Sequence, residues 1–328
     1  MPAANNAISP SGSWSDLAES FGTAWNRFWY TPADPRPCAL LRIIVGLLAV
    51  LHFLDLASGL TVWYARDGVL PPAAVSRILE LTSPTGDDYR FTYLGRIAAG
   101  GELWTLHALA IAVALAFAAG LFTRIIGVLT LVALLAYVHR VPMVAGHAEP
   151  VLSFLIIYLV IAPSGACWSI DRWLKQRRSA SSLPQEPAEP SVAANIGLRL
   201  IQVHLAMFYA MLGLTKLYGD AWWDGSAIWF LLAQTESRPL NLTGLRRLGE
   251  PGMYLLNFWT HAVVYFQLAF SVLIWNHFTR SMLLILSIFI WLSMILASGH
   301  LIFALAMLAA GLAFVPRWSG TPRKGGTP

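Results

Sequence analysis

Only three lysines occur in this chain, and Lys216 alone lies against an apolar stretch long enough to cross a bilayer. A charged side chain at the bilayer centre costs at least about 2.5–3.5 kcal/mol on insertion scales, so an ionisable group in a span is a functional candidate by default. Removal from water favours the neutral form of an amine, and a neutral amine can act as a base. On a helix Gln202, Tyr209 and Lys216 recur at seven-residue steps and face roughly one way, giving a polar stripe that ends in an amine. The alternative is a lysine that snorkels from the end of the span to the headgroups.

His147, in the segment Gly146-His147-Ala148-Glu149-Pro150, precedes another apolar stretch. It is either a proton-relaying partner or an ordinary helix cap. Asn257, His261 and Tyr265 step by four and share a face, with Gln267 about one turn on. Such a stripe binds a neighbouring helix or lines a cavity. His52 and Asp55 form a similar pair, in which Asp55 would satisfy His52 or Arg42. There is no Gly-x-x-x-x-Gly-Lys loop, no Gly-x-Ser-x-Gly elbow and no His-Glu-x-x-His helix. No cysteine–histidine cluster suggests a metal, and Cys38 and Cys167 do not indicate a disulfide framework.

The elements that hold these groups are set by composition. Apolar residues make up 57% of the 328 and charged residues 12%, about half the charge of a soluble domain. The expected fold is all-α: a polytopic integral membrane bundle of about eight transmembrane helices plus interfacial helices. The spans fall near residues 38–59, 103–122, 125–138, 151–162, 196–217, 253–275, 282–297 and 301–315. Around Thr123-Arg124 a tight turn joins the second span to the third, and Ser298-Gly299-His300 separates the last two. Residues 1–36 form an N-terminal interfacial segment, not a signal peptide, in which Trp14, Phe21, Trp25, Phe28 and Trp29 suit the headgroup zone behind a Ser13 or Ser15 cap. Residues 37–318 form the membrane domain and 319–328 a basic tail. Residues 172–194 read as a disordered linker, 73–81 as a short surface helix, and the aromatic piece from Trp222 to Leu232 as a re-entrant or interfacial helix.

The net charge of +5 points to topology and lipid headgroups, with no nucleic-acid partner implied. With both termini in the cytoplasm, the inner loops hold Arg27, Arg36, Arg124, the cluster from Arg172 to Arg178, Arg280 and the tail. That slightly exceeds the basic charge outside and places the protein in the cell membrane. Inverted repeats and charges lining successive spans are lacking, which weighs against a solute carrier or channel.

Four stretches in order resemble the horizontally transferred transmembrane (HTTM) domain, the membrane part shared with vitamin K-dependent γ-carboxylase. They are Tyr64-Ala-Arg-Asp-Gly-Val-Leu-Pro71, Gly146-His147, Cys167-Trp-Ser-Ile-Asp171 and Gly213-Leu-Thr-Lys-Leu-Tyr-Gly-Asp-Ala-Trp-Trp-Asp-Gly225. The resemblance covers about residues 20–315. It implies an enzyme of quinone-dependent carboxylase type. In that chemistry a lysine deprotonates vitamin K hydroquinone, oxygen converts the anion to a strong base, and a peptide glutamate is then carboxylated. Lys216 would be the amine and His147 its assistant. Tyr209, Gln202, His261, Tyr265 and Trp222 would line a site for vitamin K hydroquinone or menaquinol. The chain departs from the family in carrying Thr215 in place of the first lysine of the pair, in one residue inserted before the Trp-x-x-Gly element, and in ending soon after the last span. The family also includes small members linked to secreted peptides. The alternative function is therefore a non-catalytic membrane factor for maturation, export or immunity of a secreted peptide.

Overall fold

The computed structural model describes residues 14–82, 90, 92–96, 100–178, 189–234 and 239–315. The described residues form an all-α bundle. After α1 (Trp14–Tyr30) comes α2 (Arg36–Leu56), which continues through a 3-10 turn into α3 (Leu60–Tyr64), and then α4 (Pro72–Thr82). Next are α5 (Gly100–Ala119), α6 (Thr123–Arg140), α7 (Ala148–Ile161), α8 (Ile170–Arg178) and α9 (Val192–Lys216). Two short helices, α10 (Asp220–Trp223) and α11 (Ala227–Ala233), precede α12 (Glu250–Leu273), α13 (His277–Ser298) and α14 (Leu301–Gly311).

Among the described residues six helical stretches are long and apolar enough to cross a membrane: Arg36–Tyr64, α5, α6, α9, α12 and α13. Two shorter apolar helices, Ala148–Ile161 and Leu301–Phe314, complete the bundle. Leu47, Leu51, Leu54, Val128, Val272, Ile285 and Phe289 all point outward. In water such surface would drive aggregation, whereas in lipid it costs nothing. Tight contacts use small residues. A Cβ on Gly46 would come within 2.7 Å of Ala118, so α2 and α5 touch backbone to backbone there.

One end of the bundle is tied together by Arg42, which is fully buried and donates to the carbonyls of Ser164 and Trp168. Asp171 accepts from the backbone N–H of Phe122 at 2.8 Å and of Thr123 at 2.9 Å, capping α6 with a carboxylate from α8. The same end holds α1, because Asn195 at the start of α9 donates to the carbonyls of Phe28 and Trp29.

Several expectations need correcting. Asp55 is exposed, and among the described residues its carboxylate makes no hydrogen bond or ion pair with His52 or Arg42. The turn after α5 lies at Gly120–Phe122, with Thr123 and Arg124 already helical. The stretch read as a disordered linker begins and ends in helix: Arg172–Arg178 belongs to α8, tied to α6 through Asp171, and Val192 opens α9 under a Ser191 cap. Residues 179–188 lie outside the described residues, as do Ser13 and the tail. Ser15 sits inside α1. Residues 222–232 make two short helices, broken at Gly225 by a φ of +80°. Both cysteines are buried free thiols.

Candidate functional site at the far end of the bundle

Chain direction brings the candidate residues to one end. The start of α9 is bridged to the end of α1 through Ser191 and Ala33, and the segment after α7 is tied to Arg42. The end of α9, the start of α7 and the α13–α14 turn therefore share the opposite end, where Lys216, His147 and His300 sit.

The stripe on α9 has three fates. Gln202 is buried, accepts from Arg199 at 2.9 Å and donates to the Ala313 carbonyl at 2.6 Å. Tyr209 is 1% exposed, accepts from the Trp291 indole at 2.6 Å and stacks on Phe270 with ring centres 4.0 Å apart. Gln202 is used by one bond within α9 and one to the segment after α14, and Tyr209 by a bond to α13, as expected of membrane bundles. Neither has a free polar atom turned toward a cofactor.

Lys216 is half-buried and turns back along its own helix. Its Nζ donates to the Leu212 carbonyl at 3.0 Å and lies 5.0 Å from the centre of the Trp222 ring. Snorkelling would carry the amine past the helix end. Here it points one turn toward the interior. Trp222 is fixed by the break after α10. Gly225 has its carbonyl held by Thr260 Oγ1 at 2.9 Å, and any Cβ on Gly225 would collide with Asn257. Asn257 donates to the Asp224 carbonyl at 3.0 Å, and α11 buries Ile228 and Leu232 completely. The piece beginning at Trp222 is thus packed into the bundle, which gives the indole a defined place under the amine.

His147 occupies the N-cap position of α7 yet makes no side-chain cap bond. Its exposed ring meets His300 edge-on at 5.4 Å and Phe303 at 5.6 Å. Partial burial, and after it the His147 ring, hold the His300 imidazole below its ordinary range. Among the described residues no hydrogen bond or ring contact joins His147 to Lys216. Phe303 reaches α9 at Phe208, with centres 6.4 Å apart, about 12 Å along the helix axis from Lys216. His300 was read from sequence as a turn residue, and its part in a histidine pair was missed.

A second constellation was also missed. His52 Nε2 lies 3.7 Å from Glu149 Oε1, and both side chains are more than nine-tenths buried. Glu149 Oε1 also accepts from the Gly146 backbone at 3.0 Å, which closes the turn that carries His147. Arg140 is 2% exposed and donates to the carbonyls of Ala65 and Leu70, pinning the Tyr64–Pro71 stretch. His107 Nδ1 and the Tyr137 hydroxyl share a hydrogen bond of 2.9 Å, and the Tyr137 ring meets Tyr64 at 5.0 Å. Arg140 Nε and Nη1, Glu149 Oε2 and Nε2 of both His52 and His107 are buried with no hydrogen-bond partner among the described residues. Buried polar atoms without partners are rare enough that each calls for an explanation. The available signal was Glu149 and Arg140, two charges at span edges beside two of the motif stretches. Nothing comparable marked His107.

On α12, His261 and Tyr265 stack with ring centres 6.1 Å apart, and His261 Nδ1 lies 2.9 Å from the Asn257 carbonyl oxygen. Their shared face looks outward: Tyr265 is 66% exposed, as are Tyr254 and Phe258 at 71% and 70%. Gln267 is buried on another face. Among the described residues no group of His, Cys, Asp and Glu is arranged to hold a metal ion.

Fold and site together define a multi-pass α-helical membrane protein with a polar, histidine-containing end. Comparison with family models, curated proteins and solved structures found no match to this chain.

Proposed function

We propose that this is a membrane enzyme of the HTTM type, in which Lys216 acts as a base toward a hydrophobic hydroquinone at the outer face. One observation carries the reading: the Lys216 amine is turned back into its span against Leu212 and Trp222, with no carboxylate among its described partners. Such an amine, half-removed from water, is available to take a proton. Lys216 and Trp222 suit a hydroquinone, the first as proton acceptor for a phenolic hydroxyl and the second as an aromatic face. Tyr209 and Gln202 do not, because their polar atoms are already paired. When bound, vitamin K hydroquinone or menaquinol oxidised by dioxygen would supply a base stronger than any side chain, suited to removing a carbon-bound proton before carboxylation. His147, paired with His300, would move protons at the rim, and a secreted peptide is the substrate class that the family resemblance suggests. The N- and C-termini then face the cytoplasm of a cell-membrane protein.

The test is extraction of the purified protein. Near-stoichiometric quinone in the wild type and its loss in Lys216→Ala are expected. No quinone, with hydroquinone turnover unchanged in Lys216→Ala, overturns the reading.

A second reading, a non-catalytic factor for maturation, export or immunity of a secreted peptide, is favoured by the outward aromatic stripe of Tyr254, Phe258 and Tyr265. Such a stripe offers a partner segment large contact area at low entropic cost. Co-purification of a peptide that depends on this stripe and survives Lys216→Ala would select it.

A further inference from the structure

At the end of the bundle opposite Lys216, a groove runs between the start of α6 and α8. Its volume is about 640 Å³, and its lining is chiefly apolar, with Phe122, Ile125, Ala162 and Leu174 among the walls. Arg124, Lys175 and Arg178 also line it, and all three are exposed. Among the described residues its lining holds one carboxylate, Asp171. Both its oxygens are taken by Phe122 and Thr123 at the α6 terminus, so the rim presents net positive charge. A hollow of about 450 Å³ continues from it past Pro163 and Lys175 toward Arg172 and Glu189.

The surroundings give the depth. Trp168 and Trp173 are about half exposed beside the groove, and Arg177 lies 4.0 Å over the Trp173 ring. Indole rings with adjacent arginines are the pattern of a membrane–water boundary. Phe122 and Ile125, 64% and 65% exposed, open α6 and face the acyl region. An occupant must therefore have an apolar tail running along α6 and an anionic head among three cations.

We propose that this groove binds an anionic phospholipid, its phosphodiester headgroup held by Arg124, Lys175 and Arg178 and its acyl chain lying against Phe122 and Ile125. Helix α8 then lies in the headgroup plane as an interfacial helix, and the bound lipid bridges it to α6 in addition to the Asp171 cap. Lipids with zwitterionic heads carry no net charge to match the rim, so the selectivity is electrostatic.

The experiment titrates purified protein in a neutral detergent with phosphatidylglycerol and, separately, phosphatidylcholine of the same acyl chains, counting bound lipid by native mass spectrometry. Phosphatidylglycerol is expected to bind at about tenfold lower concentration. Replacing all three cations (R124Q, K175Q, R178Q) brings the two lipids level, while Lys175→Arg keeps the preference. Glycerol phosphate, which has the head without the tail, binds far more weakly than the lipid. Equal binding of the two lipids to the wild type, a preference that survives the triple variant, or glycerol phosphate binding as tightly as the lipid would each overturn the proposal. If the triple variant does not fold, R124Q and R178Q are read singly. Each is then expected to weaken the preference about threefold, and no change in either counts against the site.

Discussion

Glu149 stands between two histidines with different surroundings: His52 lies 3.7 Å away inside the bundle, while His147, two residues earlier, is exposed at the rim. The carboxylate also holds the Gly146 N–H, so the group that meets His52 on α2 closes the turn that carries the rim histidine.

Glu149→Ala takes the acceptor from the Gly146 N–H and the close neighbour from His52, and is expected to cost about 1–3 kcal/mol, seen as a drop in the detergent-solubilised melting temperature. Glu149→Gln keeps an oxygen for Gly146 and is expected to cost less than half as much. A double-mutant cycle with His52→Gln then gives a coupling of about 1 kcal/mol or more. Additive losses would mean that the two side chains do not interact.

Tyr209 and Lys216 separate packing from chemistry on a single helix. Tyr209→Phe leaves the buried Trp291 N–H without its acceptor and is expected to cost about 1–3 kcal/mol, with quinone content per folded molecule unchanged. Lys216→Met removes a bond to its own helix and the cation's contact with the Trp222 ring, so stability stays within about 1 kcal/mol while hydroquinone turnover falls about 100-fold or more. The opposite pattern would make Lys216 structural.

Much of the fold was readable in the sequence because apolar runs are a direct record of lipid contact. The spans around α2, α5, α9, α12 and α13 follow from it, while the short surface helix expected at 73–81 is α4. The junctions followed less well. Residues 172–178 look polar and featureless, yet Asp171 ties α8 to the start of α6, a tertiary effect that local composition does not carry. The Gly225 break in the stretch after Trp222 depends on Asn257 and Thr260 from a helix distant in sequence. For the site, helical spacing showed which of Gln202, Tyr209 and Lys216 share a face. It could not show that Arg199, Ala313 and Trp291 would use up the first two. The His52–Glu149 and His147–His300 pairs join separate helices, and periodicity along a single helix does not predict them.

The α6 cap is testable by substitution and by acid. Asp171→Asn weakens two backbone bonds at a helix N-terminus and is expected to cost about 1 kcal/mol, read as a lower melting temperature at pH 7. Burial opposes ionisation of Asp171, but the Thr123 and Phe122 donors outweigh it and leave the carboxyl below its ordinary range. A lowered carboxyl contributes stability above the unfolded-state value near 4, and that stability disappears as pH falls toward the folded value. The gap between wild type and Asp171→Asn is therefore expected to close on acidification, and a gap independent of pH would deny the carboxylate its role.

The histidine pair titrates in a different window. His300 favours its neutral form in the folded protein, through partial burial first and then the approach of His147. Above about pH 6.5 the folded and unfolded chains are both neutral at this position, so it contributes nothing. Below that value the unfolded chain takes up the proton first, and stability declines until the folded imidazole also protonates. His300→Gln is expected to remove this decline, so that the fall in melting temperature between pH 7.5 and 5.5 becomes smaller than in the wild type. His147→Gln takes away one of the two causes and is expected to shrink it partly. If the acid-induced fall is the same in all three proteins, the two rings do not influence one another, and His147 has no partner through which to pass a proton at the rim.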